Sequence, residues 1–203
     1  IPGGNPEIVI FDSISANLVL YDNCTLITSV GLSSTAGHYG RGAIGNFVSN
    51  DPGPEIVLSG RNEIVLYDFT TSGNLVLLDS MSVNFGSHAV SGFDFEYDGV
   101  DEILYLDNDG FHIYTVDAPS SAINELHYEP IPSSTGYDRA SPVVADLDND
   151  GEAEIIIASD DGITVFGPPS GVQWSSARSV WNQEDYHVTN INDNMSVPAV
   201  ESQ

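Results

Sequence analysis

The chain of 203 residues carries a formal net charge of −26, with 30 Asp and Glu against four arginines and no lysine. Nucleic acid and anionic membrane surfaces are thereby excluded as partners, since both are bound through cationic groups, and the missing lysine excludes a P-loop, a Schiff base and a lysine general base. A single cysteine, Cys24, leaves no internal disulfide and no Cys-based zinc cluster, and no apolar run approaches the ~18 residues of a membrane span. Hydrophobic content of 41% suits one domain with a sizeable core, and Cys24 reads as one of its small buried residues. The acidity fits carboxylates partly neutralised by bound cations, and equally a secreted protein kept soluble by charge. The chain begins Ile-Pro-Gly-Gly with no signal peptide, as a mature form or a segment of a longer protein would.

In chain order, strands are expected first at Glu7-Ile-Val-Ile and Asn17-Leu-Val-Leu-Tyr. A small-residue strand, Gly42-Ala-Ile-Gly45, opens a second unit, followed by Glu55-Ile-Val-Leu, the turn Gly60-Arg-Asn62, Glu63-Ile-Val-Leu-Tyr and Leu75-Val-Leu-Leu. The third unit runs Ala89-Val-Ser-Gly92, Glu102-Ile-Leu-Tyr, the turn Asp107-Asn-Asp109-Gly110, Phe111-His-Ile-Tyr and Ile123-Asn-Glu-Leu-His-Tyr. The fourth has Ser141-Pro-Val-Val-Ala145, Glu154-Ile-Ile-Ile, Asp160-Asp161-Gly162 and Gly162-Ile-Thr-Val-Phe. Turn residues separate each pair and helical periodicity is absent, which predicts an all-β chain.

The acidic residue that opens each main strand recurs at positions 7, 55, 102 and 154, separations of 48, 47 and 52 residues. A period of this length with four short strands matches the blade of a β-propeller. The expected architecture is therefore one domain, 1–203, with repeats at about 1–36, 37–84, 85–135 and 136–180. The first repeat lacks its innermost strand. A closing strand within 181–203, centred on His187-Val-Thr-Asn190-Ile-Asn192-Asp-Asn194, is expected to pair with the N-terminal blade, in cis within one ring or in trans onto a neighbouring chain.

Residues 146–154, Asp-Leu-Asp-Asn-Asp-Gly-Glu-Ala-Glu, set Asp146, Asp148, Asp150 and Glu154 at positions 1, 3, 5 and 9 around a glycine turn. A hard cation such as Ca²⁺ takes six to eight oxygen ligands, and such a loop supplies most of them. A second loop places Asp94, Glu96, Asp98 and Glu102 in the same order. Like charges at ~4 Å repel by about 4 kcal/mol per pair at an effective dielectric of 20, so a tight loop of three or four carboxylates needs a counter-ion to hold its shape. The plain alternative is a solvated acidic turn. The stretch Asn46 to Glu55 has gained a residue and kept few carboxylates, and no ion is assigned to it.

The string at 146–154, embedded in Ser-Pro-Val-Val-Ala-Asp-Leu-Asp-Asn-Asp-Gly, resembles the FG-GAP and VCBS repeats of integrin α-subunit propellers and of secreted bacterial proteins. The tail Trp174-Ser-Ser-Ala-Arg178-Ser-Val-Trp181-Asn-Gln, continuing to Asn190-Ile-Asn-Asp-Asn, resembles segments that close such propellers in surface proteins of Bacteroidetes. The resemblance implies a calcium-binding β-propeller working outside the cell, in adhesion or within a multidomain surface protein. It implies two Ca²⁺ sites, with the carbonyl of Val100 joining Asp94, Glu96, Asp98 and Glu102, and the carbonyl of Glu152 joining Asp146, Asp148, Asp150 and Glu154. Four repeats depart from the seven blades usual in that family, and Asn190, Asn192 and Asn194 replace carboxylates with neutral amides.

The five histidines show no metal spacing and read as packed or solvated residues. His38, His88, Arg139 and Asp185 each precede an innermost strand and would gather at the mouth of a central channel. Trp174, Trp181 and Tyr186 would stack on sugars or fill the core. Asn23-Cys-Thr25 and Asn194-Met-Ser196 match the N-glycosylation pattern as background, and Asp12-Ser-Ile and Asp79-Ser-Met resemble an O-glycosylation pattern. No nucleophile elbow occurs, and the expected function is a non-catalytic extracellular module in adhesion or in a surface fibre, with a protein or glycan ligand. The alternatives are a carbohydrate-binding or carbohydrate-cleaving propeller, for which a catalytic base is in short supply, and an inhibitor-like or receptor-like module.

Overall fold

A computed structural model describes residues 7–12, 16–22, 24–32, 42–51, 53–70, 72–84, 90–131, 141–159, 162–179, 192 and 194–197. Among them there is no helix, and fourteen strands form four antiparallel sheets. Strands β1 (Glu7–Asp12), β2 (Asn17–Asp22) and β3 (Thr25–Gly31) make the first sheet, in that order. Strands β4 (Gly42–Gly45), β5 (Glu55–Ser59), β6 (Glu63–Phe69) and β7 (Leu75–Ser82) make the second. The third comprises β8 (Ser91–Phe93), β9 (Glu102–Leu106), β10 (Phe111–Asp117) and β11 (Ala122–Glu129), and the fourth β12 (Val143–Ala145), β13 (Glu154–Ser159) and β14 (Gly162–Phe166). Each sheet is a meander, with every strand hydrogen-bonded to its neighbours in sequence.

Strands β5 and β9, each opened by an acidic residue, read as continuous apolar runs because both of their faces are covered. Side chains alternate across a strand: on β5, Ile56 and Leu58 pack with Leu18 and Leu20 of the first sheet. Val57, on the opposite face, joins Ile103 and Tyr105 of the third. On β9 the alternation repeats, with Leu104 and Leu106 turned to Ile155 and Ile157 of β13. The sheets thus stack in sequence order through three apolar layers. Among the described residues, nothing covers the outer face of either terminal sheet. Val9 and Phe11 turn inward, whereas Ile8 and Ile10 are exposed on β1 and Ile163 and Val165 on β14.

Three sheets share a local irregularity: the register to the outer strand shifts immediately before Tyr21, Tyr67 and Tyr114. A bulge of this kind bends the strand and increases its twist, and its recurrence at one place marks the units as structurally equivalent. Where the second and third sheets meet, β4 lies against β8. A Cβ on Gly92 would come within 2.8 Å of the Phe47 ring, so the small residues expected there are required by close approach.

Cys24 departs from its reading as a core residue. It is exposed, in the turn between β2 and β3, with φ of 63°. A tight turn at the edge of a sheet has no second layer to cover its side chain. His38, His88, Arg139 and Asp185, the residues Trp181 and Tyr186, and all of the expected closing strand except 192 and 194–197 lie outside the described residues.

Candidate metal centre

Three loops with a shared design lead into β5, β9 and β13. In each, the glutamate that begins the strand folds back and accepts backbone N–H groups near the start of the loop. Glu154 accepts from Leu147 at 2.7 Å and Glu102 from Phe95 at 3.1 Å. Glu55 accepts from Phe47 at 2.7 Å and Val48 at 2.8 Å, all through Oε2. The glutamate therefore pins its own loop, and all three are buried.

In the 146–154 loop, Asp148 accepts the N–H of Asp150 and Asp150 that of Glu152, which turns the chain tightly. Asn149 and Gly151 take the left-handed backbone conformation, with φ of 61° and 92°, which asparagine and glycine tolerate. The result gathers one carboxylate oxygen from each of Asp146, Asp148 and Asp150 within 4.8 Å of one another. Oxygens bound to a common Ca²⁺ at 2.3–2.6 Å lie up to about 5 Å apart, so this spread fits. A second observation points the same way: Asp146 Oδ1 is buried and has no hydrogen-bond partner among the described residues. A buried carboxylate oxygen without a partner is costly, and a cation is the natural relief. Glu154 joins through its backbone bond and not through that triad.

The 94–102 loop is built on the same plan but is closed more tightly on itself. Both oxygens of Asp94 are engaged, by the N–H groups of Asp98 at 3.1 Å and Gly99 at 2.8 Å, and Asp98 accepts from Val100 at 2.8 Å. Tyr97 occupies the left-handed position held by Asn149 in the other loop, with φ of 58°. Among the described residues, Asp94, Glu96, Asp98 and Glu102 are not drawn together as the other triad is. Their charges nonetheless act on one another. Burial first, then Glu96, Asp94 and Asp98, push the Glu102 carboxyl up to about 7 despite its backbone bond to Phe95.

A second triad gathers where no ion was assigned: carboxylate oxygens of Asp51, Glu55 and Asp68 also lie within 4.8 Å of one another. Asp51 and Glu55 belong to the Asn46–Glu55 stretch, whereas Asp68 comes from β6, where it pairs directly with Glu55. Burial, opposed by the two backbone bonds and reinforced by Asp51 and Asp68, pushes Glu55 up to about 7. The same stretch hooks onto the third unit. Asn46 and Asp101 are doubly linked, the Asn46 N–H donating to the Asp101 carboxylate at 2.9 Å and the Asp101 N–H to the Asn46 carbonyl at 2.7 Å. The Asn46 amide also donates to the Gly99 carbonyl.

One further polar cluster escaped the sequence reading. His112 places Nδ1 3.1 Å from Glu125 Oε1 and Nε2 3.2 Å from Asp107 Oδ1, the latter at ion-pair distance but off the hydrogen-bond direction. Burial would lower the imidazole's pKa, but the two carboxylates outweigh it and raise it. The ring stacks on Tyr114 at 5.5 Å and lies 4.9 Å from Tyr128, in a cleft that also holds Asn84 and Asp109. In the linear sequence Asp107 and Asp109 are turn residues, and no fixed spacing links them to Glu125. Trp174 packs at 4.7 Å on Phe95, and the N–H of Ser175 bonds the Phe95 carbonyl, so this tryptophan serves packing.

No protein-family model matches the chain, and no curated protein matches it. Among solved structures, a protein from Lactobacillus plantarum is similar at 14% identity with a TM-score of 0.44, over 83% of this chain. The chain spans about half, 54%, of the length of that structure.

Proposed function

We propose that this chain is a non-catalytic, calcium-binding β-propeller module of the FG-GAP/VCBS type that works outside the cell, in adhesion or as a unit of a surface protein or fibre. The observation that carries the calcium reading is the convergence of Asp146, Asp148 and Asp150, with one buried oxygen left without a partner. The propeller reading is supported by consecutive meanders stacked through alternating faces and by the apolar faces of the first and last sheets, uncovered among the described residues, which ring closure or a neighbouring chain would bury. An ion held by the 146–154 loop would supply the charge that lets three carboxylates share one turn, and the chain's own contribution is the pinning of that loop by Glu154. Asp148→Ala should remove one bound calcium per chain and lower the melting temperature in calcium. Dialysis equilibrium and thermal melts read both, and full calcium binding with wild-type melting would leave the loop a bare acidic turn.

A carbohydrate-binding reading is favoured by one feature, the cleft in which Tyr114, Tyr128 and His112 stand beside acidic hydrogen-bond acceptors. Aromatic faces with planar acceptors suit sugar rings. On this reading Tyr128→Ala should abolish retention on immobilised polysaccharide, and a wild-type chain that binds no glycan surface at all would dismiss it.

A further inference from the structure

We propose that Asp51, Glu55 and Asp68 form a second cation site, taking a hard divalent ion such as Ca²⁺ between the loop that precedes β5 and the neighbouring strand β6. Two independent observations meet there. The three carboxylates bring oxygens within 4.8 Å of one another. Glu55 is 0% exposed, and while its Oε2 is held by Phe47 and Val48, its Oε1 is buried and has no hydrogen-bond partner among the described residues.

The ligand chemistry follows from this arrangement. Two backbone donors to one oxygen orient the Glu55 carboxylate and leave the other oxygen free, beside two further carboxylates and away from water. Hydrogen-bond donors would satisfy a neutral site, but the groups that face Glu55 here are acceptors with the same sign of charge. Burial also raises the Asp68 carboxyl, with Asp51 adding to it, so Glu55 and Asp68 both carry the cost of their neighbours. A cation shared by the three carboxylates removes both costs together. All-oxygen, carboxylate-rich coordination selects Ca²⁺ or a similarly hard ion over a soft metal. The site differs from the 146–154 loop in origin, because one of its ligands comes from across a strand pair. Its effect also reaches further. The loop it would hold carries Asn46, which is bonded to Asp101 and Gly99 of the loop between β8 and β9, so an ion here would order the contact between the second and third units.

The test counts ions on the full chain with calcium alone as the probe, by equilibrium dialysis, beside thermal melts in calcium and in chelator. Asp68→Asn should bind one calcium fewer per chain than wild type, Asp148→Asn also one fewer, and the double variant two fewer. Asp68→Asn keeps the side chain's size and removes a like charge, so it should melt no lower than wild type in chelator but lower in calcium. An unchanged ion count in Asp68→Asn overturns the proposal, as does an equal drop in melting temperature with and without calcium, which would make Asp68 a packing residue. A loss confined to Asp148→Asn would leave the ion of the 146–154 loop standing while removing this one.

Discussion

Chelation should lower the melting temperature of the calcium-saturated chain by about 10–20 °C. A ligand that binds only the folded state stabilises by about 2.7 kcal/mol at a hundredfold excess over its dissociation constant. Two occupied sites, at Asp146 and at Glu55, would double this, and each kcal/mol is worth roughly 2–4 °C for a chain of this size. A single occupied site would halve the shift, and none at all would remove the calcium reading. The pH dependence should differ between the two states as well. In chelator, burial pushes the Glu55 and Glu102 carboxyls up to about 7 in the folded chain, against an ordinary value of 4.5 in the unfolded one. Below 4.5 both are protonated in the folded and unfolded states and cost nothing. Between 4.5 and 7 the unfolded chain releases protons that the folded chain retains, so stability falls as pH rises. The loss is on the order of 3 kcal/mol for each carboxylate at 1.36 kcal/mol per pH unit. Calcium at the Glu55 site binds the ionised form, so the part of the fall that Glu55 contributes should shrink or reverse in its presence. Urea titrations across this range, with and without chelator, measure the slope; parallel slopes would show that Glu55 does not sense the ion.

Phe47→Ala should destabilise the chain by about 3–5 kcal/mol, the range for removing a large aromatic ring from a closed core. Phe47 is fully buried among Val57, Ile103 and Tyr105, where the second and third sheets meet. Its ring also fills the space left by Gly45 and Gly92. That second role provides a specific check. Gly92→Ala alone would force a methyl to within 2.8 Å of the ring and should destabilise by about 1–3 kcal/mol. In Phe47→Ala the same methyl meets a cavity, so the double variant should be more stable than the sum of the two losses predicts. Strict additivity in denaturant melts would place the glycine's role elsewhere.

Much of this molecule is legible in the linear chain because its signals are local. Runs such as Glu55-Ile-Val-Leu and Glu102-Ile-Leu-Tyr are too short for helices and too apolar for a one-sided sheet, and they fold as strands covered on both faces. The turn at Asn149 and Gly151 is written in residues that accept positive φ, and it is that turn which gathers Asp146, Asp148 and Asp150. Cys24 shows the limit of the same approach: its side chain is small and apolar, but exposure is set by its place in a turn at the sheet edge.

By itself, the sequence determined the strand-rich class, the recurrence of an acidic residue before each main strand, and the composition of the 146–154 loop, because each depends on neighbours within a few residues. Only the tertiary structure decided which carboxylates meet. Asp68 stands beside Glu55 through the register of β5 with β6, and His112 lies between Asp107 and Glu125 through the pairing of β10 with its neighbours. Strand pairing brings together residues separated by a turn of any length, so such clusters leave no fixed spacing behind. The loop around Glu55, poor in carboxylates when read in line, becomes acidic only when the next strand lies against it.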